Sequence, residues 1–146
     1  MTAEIGSAVI AKVVERLCAA FDHREIHAEN VASDLAEKTA GVQYPAINVY
    51  CDKIINDQVE KFRTFSGRVQ VAVEARVTQD RLRGLSNALA CLVDAIAGVL
   101  SKDRGDWGDG MFYGGKYEVA FCAIKHGGKN FLQSAKVTFD IGVSKD

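Results

Sequence analysis

The stretch Arg68–Leu100, "RVQVAVEARVTQDRLRGLSNALACLVDAIAGVL", changes its apolar period once. From Arg68 to Thr78 the period is two. Val69, Val71, Val73, Ala75 and Val77 share one face, and Arg68, Gln70, Glu74, Arg76 and Thr78 lie on the other. That pattern predicts a half-buried antiparallel strand with one wet face. Asp80 then occupies an N-cap position. Leu82, Leu85, Leu89, Leu92, Ile96 and Val99 follow at steps of three and four, the stripe of an amphipathic helix. At 1.5 Å per residue such a helix is about 30 Å long and can cover a sheet diagonally. A wet-faced strand followed by a long core helix already points to the α+β class.

Upstream, Pro45 introduces "AINVYC", in which Ile47, Val49 and Cys51 alternate with Asn48 and Tyr50. A proline is tolerated at the start of a strand, so a first strand begins here. "DKIINDQVEKFRTFSG" continues as a strand end and loop, or as a ragged hairpin arm. Residues 7–21 carry Val9, Ile10, Val13, Val14, Leu17, Cys18 and Phe21 on one stripe behind a Ser7 cap. Residues 22–44, with Val31, Leu35 and Gly41, read as helix or irregular. Downstream, Tyr117–Ile124 and Phe131–Val143 alternate as strands, and Gly127-Gly128 between them reads as a hairpin turn. The expected fold is one α+β domain over residues 1–146, with an N-terminal helical part (1–43) and a sheet plus core helix (44–143). The mainly antiparallel sheet has about four or five strands, and the N-terminal and long central helices pack on one of its faces.

The 146 residues suffice for one real core, and 48% apolar with 25% charged residues is ordinary for a globular protein. A net charge of −1 supplies no field that pulls the chain onto nucleic acid or an anionic membrane. The charge is uneven: residues 1–60 hold ten acids and five bases, residues 61–102 seven bases and three acids. Such asymmetry suits head-to-tail contact between copies, or simply gives solvated faces of different sign. "MTAEIGSAVIAKVVERL" is periodic and lacks a basic n-region, so it does not read as a signal peptide. No segment is expected to approach the ~20 apolar residues that a membrane span needs. Cys18, Cys51, Cys91 and Cys122 show no C-x-x-C spacing and read as reduced core thiols.

Chemistry-bearing motifs are few. "KHGGKN" (Lys125–Asn130) lacks the Lys-Ser/Thr pair and following helix of a phosphate loop, and reads as a hairpin whose tip is basic through Lys125, His126 and Lys129. Asp103, Asp106 and Asp109 lack the ligand alternation and terminal glutamate of an EF-hand loop. His23 and His27 are spaced i, i+4 but have no third ligand, and no nucleophile motif accompanies any histidine. Neither catalysis nor any cofactor or metal is expected. The stretch "GDWGDGMFYGGKYEV" (Gly105–Val119) reads as a glycine-rich bend. Bending does not require Trp107, Met111, Phe112 and Tyr113. Either these fold back onto the sheet edge or another chain covers them, since Trp and Tyr are enriched in binding hot spots.

"YPAINVYC", "FRTFSGRVQVAVEARVTQD", "RLRGLSNALACLVDAIAGVL" and "RGDWGDGMFYGGKYEVAFCAIKHGGKNFLQSAKVTFDIGV", in that order over about residues 44–143, resemble the tail terminator proteins of tailed bacteriophages, also called tail completion or minor tail protein U-like proteins. The resemblance implies a non-enzymatic virion protein, present in host cytoplasm during assembly. It implies a homo-oligomer, a six-fold ring that caps the tail tube, stops its growth and meets a head–tail connector or neck protein. On that reading the expected interface residues are Arg63, Arg68, Arg76, Trp107, Met111, Phe112, Tyr113, Lys125, His126 and Lys129. The tube protein and the connector are the further partners, with no membrane and no sequence-specific nucleic acid. The alternative is a small oligomeric α+β binding module unrelated to phage.

Overall fold

Alternation interrupted at the buried Ala72 makes Phe65–Gln79 an inner strand of the sheet, with both edges paired. This computed structural model describes residues 2–21, 31–32, 46–79, 82–127 and 130–145. In chain order the elements are α1 (Thr2–Phe21), β1 (Val31–Ala32), β2 (Ala46–Ile55), β3 (Phe65–Gln79), α2 (Leu82–Lys102), β4 (Gly105–Gly108), β5 (Met111–Phe121), β6 (Lys125–Gly127) and β7 (Asn130–Lys145). The strands lie in the order β1-β2-β3-β7-β5-β4, with β6 also on β7. All pairings are antiparallel except that of β1 with β2.

The fold is α+β as expected, with four long strands (β2, β3, β5, β7) and three short ones at the margins. Both helices contribute to one core on the same sheet face. Ile5, Val9, Val13 and Leu17 of α1 and Leu85, Leu89, Leu92, Ile96 and Leu100 of α2 meet the odd-numbered valines of β3 and Val137, Phe139 and Ile141 of β7. The sheet's other face carries the even-numbered polar residues of β3 and β7.

Several elements differ from expectation. The first helix begins at Thr2, so its apolar stripe starts at Ile5 and Ser7 is an exposed position inside it. Val31 and Ala32 form a short parallel strand against Ile47 and Asn48, where helix or irregular chain was expected. Residues 22–30, 33–45, 80–81 and 128–129 lie outside the described residues, as do the expectations attached to them. Cys91 and Cys122 are exposed, not core thiols; only Cys18 and Cys51 are half-buried. Cys91 falls on the outer side of α2, and Cys122 follows the last residue of β5.

Helix α2 from Gly84 to Lys102 is, contrary to expectation, long and apolar enough to cross a membrane by composition, with mean hydropathy 1.6. The cause is its outer side, where Ala90, Cys91, Ala97 and Gly98 replace the usual charges. Its large apolar residues are already committed to the sheet.

Candidate interaction surface

Gly105–Val119 is a β-hairpin, not an irregular bend. β4 pairs with β5 through Gly105–Tyr113 and Gly108–Met111, with a bulge at Trp107. Asp109 (φ 55°) and Gly110 (φ 78°) occupy the two central turn positions. Positive φ at both is the geometry that matches the twist of a two-residue hairpin, and Asp-Gly is its preferred pair. Gly110 is also required by space, because a Cβ there would stand 2.2 Å from the Ser144 carbonyl oxygen.

The hairpin carries Trp107, Met111 and Tyr113 into the protein's own core. Trp107 is 6% exposed, Met111 2% and Tyr113 1%. The Trp107 and Tyr113 rings lie 5.9 Å apart, and Tyr113 meets Phe139 edge-on at 5.4 Å. The Arg16 guanidinium sits 4.5 Å above the indole and pairs with Asp103 at 3.3 Å. The indole Nε1 donates to the Asp103 carbonyl at 2.6 Å, which satisfies its one polar atom. Trp107, Met111 and Tyr113 are therefore not a docking surface. The apolar area that seemed to need a second chain is covered by α1 and β7. Phe112, which alternation turns to the opposite face, remains 55% exposed.

Burial also changes the acidity of Tyr113. Lack of solvation, aided by the neighbouring Tyr117 and opposed by Arg104, pushes its phenol up to about 12 from an ordinary 10.0. The unfolded chain loses this proton first, so the stability due to the neutral phenol is complete below about pH 10 and disappears as pH rises to about 12. Urea midpoints should fall more steeply between about pH 10 and about pH 12 in the wild type than in Tyr113→Phe. Equal slopes would refute this assignment.

The basic residues do not form one patch. Arg63 bonds Glu60 at 2.9 Å, Arg68 lies 3.8 Å from Asp57, and Arg76 bonds Glu74 at 2.7 Å. Arg68 and Phe112 share a row across Gly142 at one end of the sheet. Arg76 lies eight residues along β3 from Arg68, roughly 27 Å at ~3.4 Å per residue. Lys125 and the backbone of His126, in β6, belong to the end nearer Arg76, since they pair with Leu132 and Phe131. Lys129 lies outside the described residues.

Between these ends the wet face is a charge ladder. Lys136 lies 3.8 Å from Asp52 and 5.6 Å from the centre of the Tyr50 ring. Burial opposes the Lys136 charge, but Tyr50, Asp52 and Glu74 outweigh it and raise its pKa. A wide bulge between Tyr113 and Tyr117 leaves a shallow hollow of about 270 Å³ beside Gln70, Glu118 and Asp140. Among the described residues no group of three or more His, Cys, Asp or Glu side chains is placed to hold a metal.

Two exposed apolar residues escaped the sequence reading. Phe62 (99% exposed) and Val59 (76%) project from the tip of the β2–β3 hairpin. Their signal was their setting: large side chains in a polar run between two strands, with no alternation to carry them to either face. Phe121, the last residue of β5, and Ile124, between β5 and β6, are also exposed.

No model of a known protein family matches the chain. No curated protein matches it either.

Proposed function

We propose that this chain is a structural ring subunit of a phage tail, acting as a tail terminator that caps the tube and meets the head-side connector. The observation that carries the reading is the division of the surface. One sheet face is closed by two helices, the other is a charged ladder, and single large apolar side chains stand exposed at both ends of the sheet. Exposed aromatics beside charged rows suit protein contacts, in which aromatic anchors supply affinity and charges set register. The motif order that resembles tail terminators selects this assembly among those the surface suits. Fold alone would not, because one fold hosts many functions. On this reading the chain works in the virion after assembly in host cytoplasm, and its partners are further copies of itself, the tube protein and a neck protein.

The test is direct. Purified protein added to polymerising tail-tube protein should arrest elongation and leave a ring at one end of each tube in electron micrographs. Tubes of unchanged length with bare ends would refute the proposal.

A further inference from the structure

We infer that the tip of the β2–β3 hairpin inserts Phe62 into the groove between α1 and α2 of a second copy of this chain. The inference rests on the ring reading for closure of the assembly, and names the contact that builds it.

The tip is an ordered projection. Asn56 Oδ1 accepts from the backbone N–H groups of Gln58 (3.3 Å) and Ser66 (3.2 Å). Ser66 Oγ accepts from the Glu60 N–H at 3.2 Å, and the Ser144 hydroxyl donates to Glu60 Oε2 at 2.9 Å. Gln58 holds φ at 50°, in the left-handed region that a non-glycine residue rarely adopts. Gly67 closes the base, where a Cβ would meet the Ile55 carbonyl oxygen. This network fixes the loop while leaving Phe62 wholly in solvent. A pre-ordered anchor lowers the entropic cost of docking.

The receptor is a groove of about 470 Å³ lined by Arg16, Ala20, Asp94, Ala95, Gly98 and Val99, among others. That volume lies within the usual ~300–1,000 Å³ range of binding clefts. Its floor is made of small side chains, and a Cβ added at Gly98 would meet nothing within 4 Å. An aromatic ring therefore has room against the helix backbone.

Charge selects a second copy as the occupant. At the tip, Asp57 is taken by Arg68 and Glu60 by Arg63, which leaves Lys61 with no ion pair among the described residues. At the groove, Arg16 and Asp103 pair with each other, which leaves Asp94 as the groove's anion with no ion pair among the described residues. Lys102, the remaining cation there, is eight residues along α2 from Asp94, roughly 12 Å at ~1.5 Å per residue. The tip's remaining cation thus meets the groove's remaining anion.

Placement makes the contact intermolecular. Phe62 is wholly exposed, so it does not fill the groove of its own chain; the tip projects past the ends of β2 and β3, whereas the groove opens between α1 and α2 on the helical face. A projecting tip and a separate recess on the helical face are two different patches, so the contact is head-to-tail; it repeats from copy to copy and closes into a ring when the rotation allows.

The experiment measures self-association of the full chain by sedimentation velocity across a concentration series. Phe62→Ala should raise the dissociation constant at least about tenfold, as truncated hot spots do. Its thermal melt should not change, because Phe62 is fully exposed. Lys61→Glu and Asp94→Lys should each weaken association, and the double variant should recover it. With Cys91→Ser and Cys122→Ser removing the exposed thiols, Lys61→Cys combined with Asp94→Cys, which keeps Phe62, should give a disulfide-linked ladder of copies on a non-reducing gel. An oligomer that ignores Phe62→Ala and forms no such ladder overturns this contact and leaves the ring reading intact. A wild-type chain that remains monomeric throughout the series overturns both.

Discussion

Trp107→Ala should lower the unfolding free energy by about 3–5 kcal/mol, the range for removing a buried large aromatic. Three losses combine. The ring is almost wholly buried between Tyr113 and α1, so its removal leaves a cavity beside Tyr113. Arg16 loses the ring beneath it, a contact of about 0.5–2 kcal/mol. The Asp103 carbonyl at the end of α2 loses its indole donor. Guanidinium melts provide the measurement, and any self-association of the folded fraction should weaken only in proportion. A variant with wild-type stability that cannot assemble would return the β4–β5 hairpin to the interface.

The second large effect belongs to α2. Leu89→Ala should cost about 2–5 kcal/mol, because Leu89 is fully buried in the core shared with β3 and β7. Asn87, two positions away, is exposed. Asn87→Ala should change stability by less than about 0.5 kcal/mol. The pair uses one helix and nearly one position, so propensity differences are small and the contrast isolates burial. Similar losses in urea melts would mean that the helix is rotated from the orientation described above.

Period explains what was legible in advance. The stripe Leu85, Leu89, Leu92 and Ile96 and the alternation through β3 and β7 are short-range repeats, and each survives folding because each faces one continuous core. The hairpin at Asp109-Gly110 was also written locally, in a dipeptide that favours a two-residue turn, but the surrounding glycines suggested irregular chain instead. The destination of Trp107 was not legible. Its partners, Arg16, Asp103 and Tyr113, come from α1, the end of α2 and β5, and no periodicity links them. The basic residues misled for the same reason. Arg68 and Arg76 are close in sequence and of one sign, yet a strand sets them at opposite ends of a sheet and each has an acid beside it. Phe62 was invisible because alternation assigns a side chain to a face only within a strand, and Phe62 lies between strands.

The position of β7 has a consequence for how the protein is made. It is the last strand in sequence and the middle one in space, with β3 on one side and β5 on the other. As the polypeptide leaves the ribosome, the β2–β3 and β4–β5 hairpins can each close, but they share no ladder until residues 130–145 have emerged. Until then one edge of β3 lacks its ladder partner, and the nascent protein shows an open strand edge of the kind that chaperones hold and that aggregates pair with. Joining the halves is a late, non-local step, which places folding among the slower classes. A chain that stops before residue 130 therefore holds two hairpins with no ladder between them, and the sheet is never joined.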